Sequence, residues 1–216
     1  MSSLKLKHSG GNSVSLNPPS SAPTSSDVAF KLPNADGSAG QVLKTDGSGN
    51  LSWVTLPTAG ITMADQWRRT ADVSLNNSIN YLTSDWERVD GDGQGTITGS
   101  GGMTESGGIF TFPSTGIYKV EWGGYFFSQG SSATISAQIH VTTDNSSYNR
   151  RAININCVPN ISSYTYGYVA CQTLVDVTDT SNVKVKLAVS SESATTLDTS
   201  SSENKNSATF IRLGDT

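Results

Sequence analysis

Cysteine is nearly missing from this sequence. Cys157 and Cys171 are the only two, too few for a disulfide framework and without the paired spacing of a metal knuckle. Both read as small buried hydrophobes. Histidine is as scarce: His8 lies near the start and His140 on the polar side of a strand-like run, so no histidine stands beside a nucleophile or a metal partner. His140 is expected in solvent. Charge is sparse as well, with 15% charged residues, a net charge of -4 and no basic cluster to meet the phosphate backbone, which excludes a nucleic-acid partner. No apolar run approaches the roughly 18 residues of a membrane span, so no membrane insertion is expected. Met1-Ser2-Ser3-Leu4-Lys5 leads into no signal-peptide core, and synthesis in a cytosol is the expectation. The residues that helices prefer, Ala, Leu, Glu and Lys, are thin for the length.

What is present is Ser, Thr, 21 glycines and short alternating apolar runs, the composition of an all-β chain. A length of 216 residues allows one β-sandwich, which takes up about 150 residues, plus something smaller. The composition breaks near Pro57–Gly60, dividing the chain into residues 1–60, an extended arm, and 61–216, a head. The arm holds five of the seven prolines, and Asn17-Pro18-Pro19-Ser20 through Ser26 can bury almost nothing. Within it Val28–Pro33 and Gln41–Lys44 read as short strands, and Asp46-Gly47-Ser48-Gly49-Asn50 turns the chain back into Leu51-Ser52-Trp53-Val54. A lone hairpin is marginal in water, so Leu43, Leu51, Trp53 and Val54 are expected to find a partner in other copies of the chain or in another protein, with Leu43, Leu51 and Trp53 the candidates for attaching the arm.

In the head, Ile135, Ala137, Ile139 and Val141 alternate with Ser136, Gln138, His140 and Thr142, the pattern of a strand with one face in a core and one in water. Similar alternation marks Ile153–Cys157, Val183–Val189 and Ala208–Leu213. Ile117–Trp122 and Tyr164–Val177 add two further strands, and Trp86–Val89 and Ile109–Phe112 are shorter candidates. So many strands at short spacing imply a jelly-roll β-sandwich.

Chemistry is hard to assemble. Asp90-Gly91-Asp92-Gly93 opens like a calcium loop, yet Gly101 stands where the closing bidentate Glu belongs. Gly107-Gly108 has no following Lys and no helix, so it is no phosphate loop. Glu105, Glu121, Asp144 and Glu192 are isolated in sequence and read as surface charges. No catalytic, cofactor or metal residue is nominated, and the chain is expected not to be an enzyme.

Two phrases carry resemblances. Gly108-Ile109-Phe110-Thr111-Phe112-Pro113 followed by Thr115-Gly116-Ile117-Tyr118, then Leu174–Val183 and the closing Ala208–Leu213, resemble the globular head of complement's first component and its tumour-necrosis-factor-like relatives. The departure is Asp179-Thr180, where that family commonly has Gly-Asp. The arm phrase Leu32–Gly37 with Gly40–Trp53 is similar to one recurring in tail-fibre and virion-fibre proteins of tailed phages, where a complement-like head often follows. These resemblances imply a TNF-like jelly-roll head in a homotrimer, an arm bound to tail or capsid proteins, and a virion-surface location after assembly in the bacterial cytoplasm. Aromatics beyond the needs of one core are trimer-interface candidates, either Tyr118 with Trp122 or Tyr164, Tyr166 and Tyr168. Tyr148, Asn149, Arg150 and Arg151, read as a loop, combine an aromatic face with hydrogen-bond donors suited to host-surface polysaccharide. The expected role is a short receptor-binding fibre, the alternatives being a capsid fibre or decoration protein without receptor binding, or a virion glycan depolymerase.

Overall fold

The computed structural model describes residues 4–17, 19–24, 28–56, 60–91, 93–99, 101–129, 133–159, 161 and 163–216, and among them there is no helix. The chain divides into two units, Met1–Thr58 and Ala59–Thr216. The first holds two separate antiparallel hairpins, β1 (Leu4–Lys7) with β2 (Ser13–Leu16) and β3 (Gln41–Thr45) with β4 (Leu51–Thr55). Of the expected Val28–Pro33 strand only an isolated parallel bridge from Lys31 to Asn50 forms. Pro33 has no N–H to continue a ladder, and Phe30 and Leu32 stay exposed.

The second unit is a two-sheet sandwich. Its strands are β5 (Met63–Arg69), β6 (Val73–Leu75), β7 (Ser78–Tyr81), β8 (Trp86–Arg88), β9 (Ile97–Thr98) and β10 (Thr104–Ser106). There follow β11 (Ile109–Thr111), β12 (Gly116–Ser128), β13 (Ala133–Thr142) and β14 (Asn149–Val158). The last four are β15 (Thr165–Val177), β16 (Lys184–Ser191), β17 (Thr195–Leu197) and β18 (Ser207–Gly214). The larger sheet runs β6-β17-β12-β18-β5-β8, with β15 also on β12 and β9 on β5; the smaller runs β10-β11-β16-β13-β14, with β7 also on β16. Pairing of distant strands such as β5 with β18 and β12 with β15 is the jelly-roll arrangement, in an all-β fold.

Strand β12 shows why the sequence folds this way. Tyr118, Val120, Trp122 and Phe126 point inward and are fully buried, while Lys119, Glu121, Tyr125 and Phe127 alternate with them on the outer face. Inward aromatics from both sheets meet: Trp86 lies edge to face with Trp122 at 5.6 Å and with Phe110 at 5.1 Å, and Phe110 is tilted against Phe210 at 5.0 Å. One core therefore holds Trp67, Trp86, Phe110, Phe112, Tyr118, Trp122, Phe126 and Phe210.

Where β14 of the smaller sheet runs beside β15 of the larger, asparagine side chains join them. The Asn154 and Asn156 amide nitrogens donate to the carbonyls of Ala170 and Tyr168, both at 2.9 Å. Their amide oxygens accept from the backbone N–H groups of Ile155 and Cys157. Each side chain thus acts as a rung between two strand edges.

Candidate functional site

Exposed aromatic surface gathers on the outer face of the larger sheet. Tyr125 and Phe127 of β12 stand opposite Tyr168 and Tyr166 of β15. Period-two geometry puts Tyr166 and Tyr168 on one side of their strand, opposite to buried Val169 and Cys171. The Tyr125 and Tyr166 rings stack at 5.5 Å, and Phe127 lies 6.2 Å from Tyr166 and 6.4 Å from Tyr164. A side chain at Gly123 would meet the Tyr168 hydroxyl at 2.1 Å, so the end of that ring occupies the space the missing side chain leaves. Tyr164, Tyr166 and Tyr168 each remain more than half exposed, at 55%, 53% and 51%. Below them on the same face lie the exposed Leu174 and the Lys119–Glu121 ion pair at 2.8 Å. Beside the tyrosines, Asp198, Asn204 and Lys205 complete a cleft of about 390 Å³.

The other nominated pair, Tyr118 and Trp122, is not available to a partner. Both are fully buried in the chain's own core, and the Tyr118 hydroxyl donates to the Ser114 carbonyl at 3.0 Å. Alternation places Tyr118 and Trp122 on one face of a strand, but which face meets the opposing sheet depends on the other strands, and here it is theirs.

The arm residues are partly engaged by their own hairpin. Leu43 pairs with Trp53 across β3 and β4, and Leu51 is half-buried. The Trp53 indole N–H donates to the Ala35 carbonyl at 3.0 Å, and its ring rests on Gly37, where a β-carbon would fall 2.5 Å away. Leu43 and Trp53 still expose 45% and 37% of their surface.

The expected ligand loop is a loop only up to Tyr148. Asn149, Arg150 and Arg151 belong to β14, where Asn149 pairs with Val141 and Arg150 with His140, and the register shifts beside them. A β-bulge thus carries the ladder further than the polar sequence suggests. The loop itself is held by Asp144, whose carboxylate accepts from the N–H groups of Ser147 and Ser146 and from the Thr142 hydroxyl. Those bonds, led by the one from Ser147, hold its pKa well below the usual carboxylate range. Tyr148 sits under Lys186, whose ammonium lies 4.1 Å from the ring centre.

His140 is buried, contrary to its expected place in water, and so are its neighbours on that face, Ser136 and Gln138. Register places Ile153 and Ile155 beside them on β14, and Ala188 and Ser190 on β16, which β7 extends with Tyr81 and Ile79. A polar ladder results. The Tyr81 hydroxyl meets His140 Nδ1 at 3.3 Å, His140 Nε2 meets Gln138 Oε1 at 3.0 Å, and Gln138 Nε2 donates to Ser136 Oγ at 2.9 Å. A carboxamide oxygen only accepts, so Nε2 carries the proton of a neutral imidazole.

Burial, and then the Arg150 charge, lower the His140 pKa below its ordinary 6.5. Neutral His140 therefore contributes stability that is fully present above about pH 6.5 and is lost as pH falls through the lower folded value. Denaturant midpoints measured between pH 8 and pH 5.5 are expected to fall on acidification, and to fall less in His140→Gln. Equal slopes for the two proteins would refute this origin.

The cysteines separate: Cys171 is buried, and burial with the nearby Glu121 charge pushes its thiol up to about 12, whereas Cys157 is exposed on β14. As an edge-strand residue with few covering neighbours, Cys157 departs from the expected burial. Among the described residues no group of three or more His, Cys, Asp and Glu is placed to hold a metal ion. Glu105 accepts from the Gly108 N–H, Glu121 pairs with Lys119 and Asp144 holds its own turn, so these three carboxylates serve separate structural contacts.

No family model and no curated protein matches the chain. Solved structures do. The Eiger TNF from S. frugiperda is 16% identical with a TM-score of 0.50, over 73% of this chain and 96% of that one. Murine APRIL at pH 5.0 is 14% identical with a TM-score of 0.47, over 70% and 98%. The chain has the TNF-like jelly-roll fold.

Proposed function

We propose that the chain is a non-enzymatic surface protein of a phage particle, a homotrimeric short fibre whose arm is held by other virion proteins and whose head adheres to host-surface glycans. The observation that carries it is the outer face of the larger sheet, where Tyr125, Phe127, Tyr164, Tyr166 and Tyr168 form an aromatic surface in a single chain. Each tyrosine that such a face buries contributes roughly 1 to 2 kcal/mol. Three copies packed around an axis bury it and close the assembly. The arm phrase similar to phage fibre proteins supports the particle, and the exposed Leu43 and Trp53 support the arm as the attached part.

Light scattering is expected to give three times the chain mass for the native protein and a folded monomer for Tyr166→Ser with Tyr168→Ser. A native monomer would overturn the assembly. Particles lacking the protein are expected to take up the full chain and to leave the 61–216 fragment in solution, with electron microscopy of the labelled chain locating it on tail or capsid. A decoration protein without receptor binding is the alternative, and the binding experiment below separates the two.

A further inference from the structure

We infer that the outer face of the smaller sheet docks an anionic polysaccharide, a polymer of sugar rings bearing carboxylates. This rests on the adhesion reading above and gives it a surface and a ligand chemistry. The starting observation is where the unpaired cations lie. The ion pairs among the described residues engage Arg68, Arg69, Arg88, Lys119, Lys205 and Arg212. The head's other lysines and arginines are Arg150, Arg151, Lys184 and Lys186, and all four stand on two strands of the smaller sheet, β14 and β16.

Register brings them together. Arg150 lies opposite His140, which lies opposite Lys186, making one row across three neighbouring strands. With strands about 4.8 Å apart, the backbone positions that carry the two cations stand roughly 10 Å from each other. Lys184 is two residues from Lys186 and shares its face, and Arg151 is the extra residue at the bulge beside Arg150. No carboxylate among the described residues pairs with any of them, and Asp144 in the adjoining turn is committed to Ser146, Ser147 and Thr142. Lys186 is instead held by aromatic rings, Tyr148 at 4.1 Å and Tyr81 at 5.8 Å, which orient the ammonium without neutralising it.

In a chain of net charge -4, such a concentration of unneutralised cations is matched by a ligand of opposite sign. Arginine forks suit carboxylates, and the half-exposed Tyr81 beside them gives an apolar face for a sugar ring. The row lies on the outer side of the sandwich from the aromatic face of the larger sheet, so assembly through that face leaves it open.

The probe is polygalacturonate, with neutral dextran as comparison, bound by the full-length protein at low ionic strength. Native protein is expected to bind the polyuronate and not dextran, more weakly as salt is raised. Arg150→Gln with Lys186→Gln is expected to weaken binding at least about tenfold. Lys7→Gln with Lys44→Gln, the same charge change in the arm, is expected to leave it unchanged. Arg150→Gln alone, at an exposed edge position, is expected to weaken binding with the melting curve unaltered. No polyuronate binding by the native protein overturns the inference, as does unchanged binding in the sheet variants or equal loss in the arm variant. Attachment of labelled protein to cells of the bacterium the particle infects is measured in parallel. Cell attachment without polyuronate binding overturns this surface and leaves adhesion standing; polyuronate binding through these residues without cell attachment does the reverse.

Discussion

Trp122→Ala is expected to lower the stability of the head by about 4 kcal/mol. The indole is fully buried, meets Trp86 edge to face at 5.6 Å, and lies on the middle of β12 between the ladders to β15 and β18. Removing it takes away the largest fully buried side chain and leaves a cavity that rigid strands on either side cannot close. A domain of ordinary stability has roughly 5 to 15 kcal/mol to lose, so the variant should unfold at much lower denaturant, with an unchanged slope if the transition stays two-state. Trp122→Phe should cost clearly less, because the ring contact with Trp86 survives. The indole nitrogen also has no hydrogen-bond partner among the described residues, so phenylalanine forfeits no bond there. A midpoint within experimental error of the native protein would remove Trp122 from the energetic centre of the fold.

Asp65→Ala is expected to cost about 3 kcal/mol. The Asp65 carboxylate has no exposed surface and receives Arg88 in two-pronged fashion, Nε to Oδ1 and Nη2 to Oδ2, each at 3.1 Å. It also accepts the Met103 backbone N–H at 2.8 Å. Truncation leaves a buried N–H without its acceptor and a guanidinium, stacked 4.7 Å from the Trp67 ring centre, without its counter-charge. Arg88 keeps a third of its side chain in water, which relieves part of the penalty. The double variant Asp65→Ala with Arg88→Ala should therefore recover stability relative to Asp65→Ala alone. Strict additivity of the two single effects would show that the pair is not coupled.

The sandwich was largely legible in the sequence because β13, β14, β16 and β18 alternate visibly, whereas β10, three polar residues paired with β11 across Gly107-Gly108, carries no alternation to read. What alternation cannot express is what covers each face. His140 shares a face with Ser136 and Gln138 as the pattern says, but the cover comes from Tyr81 and Ile79 on a strand nearly sixty residues earlier. The same limit hid the difference between Tyr118 and Tyr168, both in alternating runs, which the pairing of β12 with β15 turns to opposite faces of the sheet. Arg150 and Arg151 read as loop because the polar run from Asp144 to Asn149 leads straight into them, and the bulge that admits them leaves no periodic mark. The cations of β16 were legible only as the solvent side of a strand. Their neighbourhood with Arg150 exists only once β13 lies between them.

The paired asparagines between β14 and β15 bear on how such heads behave at high local density. A jelly roll with bare strand margins offers each neighbour a template, and molecules held close together would zip into continuous sheet. Asn154 and Asn156 occupy two N–H donors on β14, those of Ile155 and Cys157, and two carbonyls on β15, those of Ala170 and Tyr168, with side chains that extend no further ladder. At these positions a crowded neighbour finds no free backbone partner on the β14–β15 margin, and contact there is left to side chains.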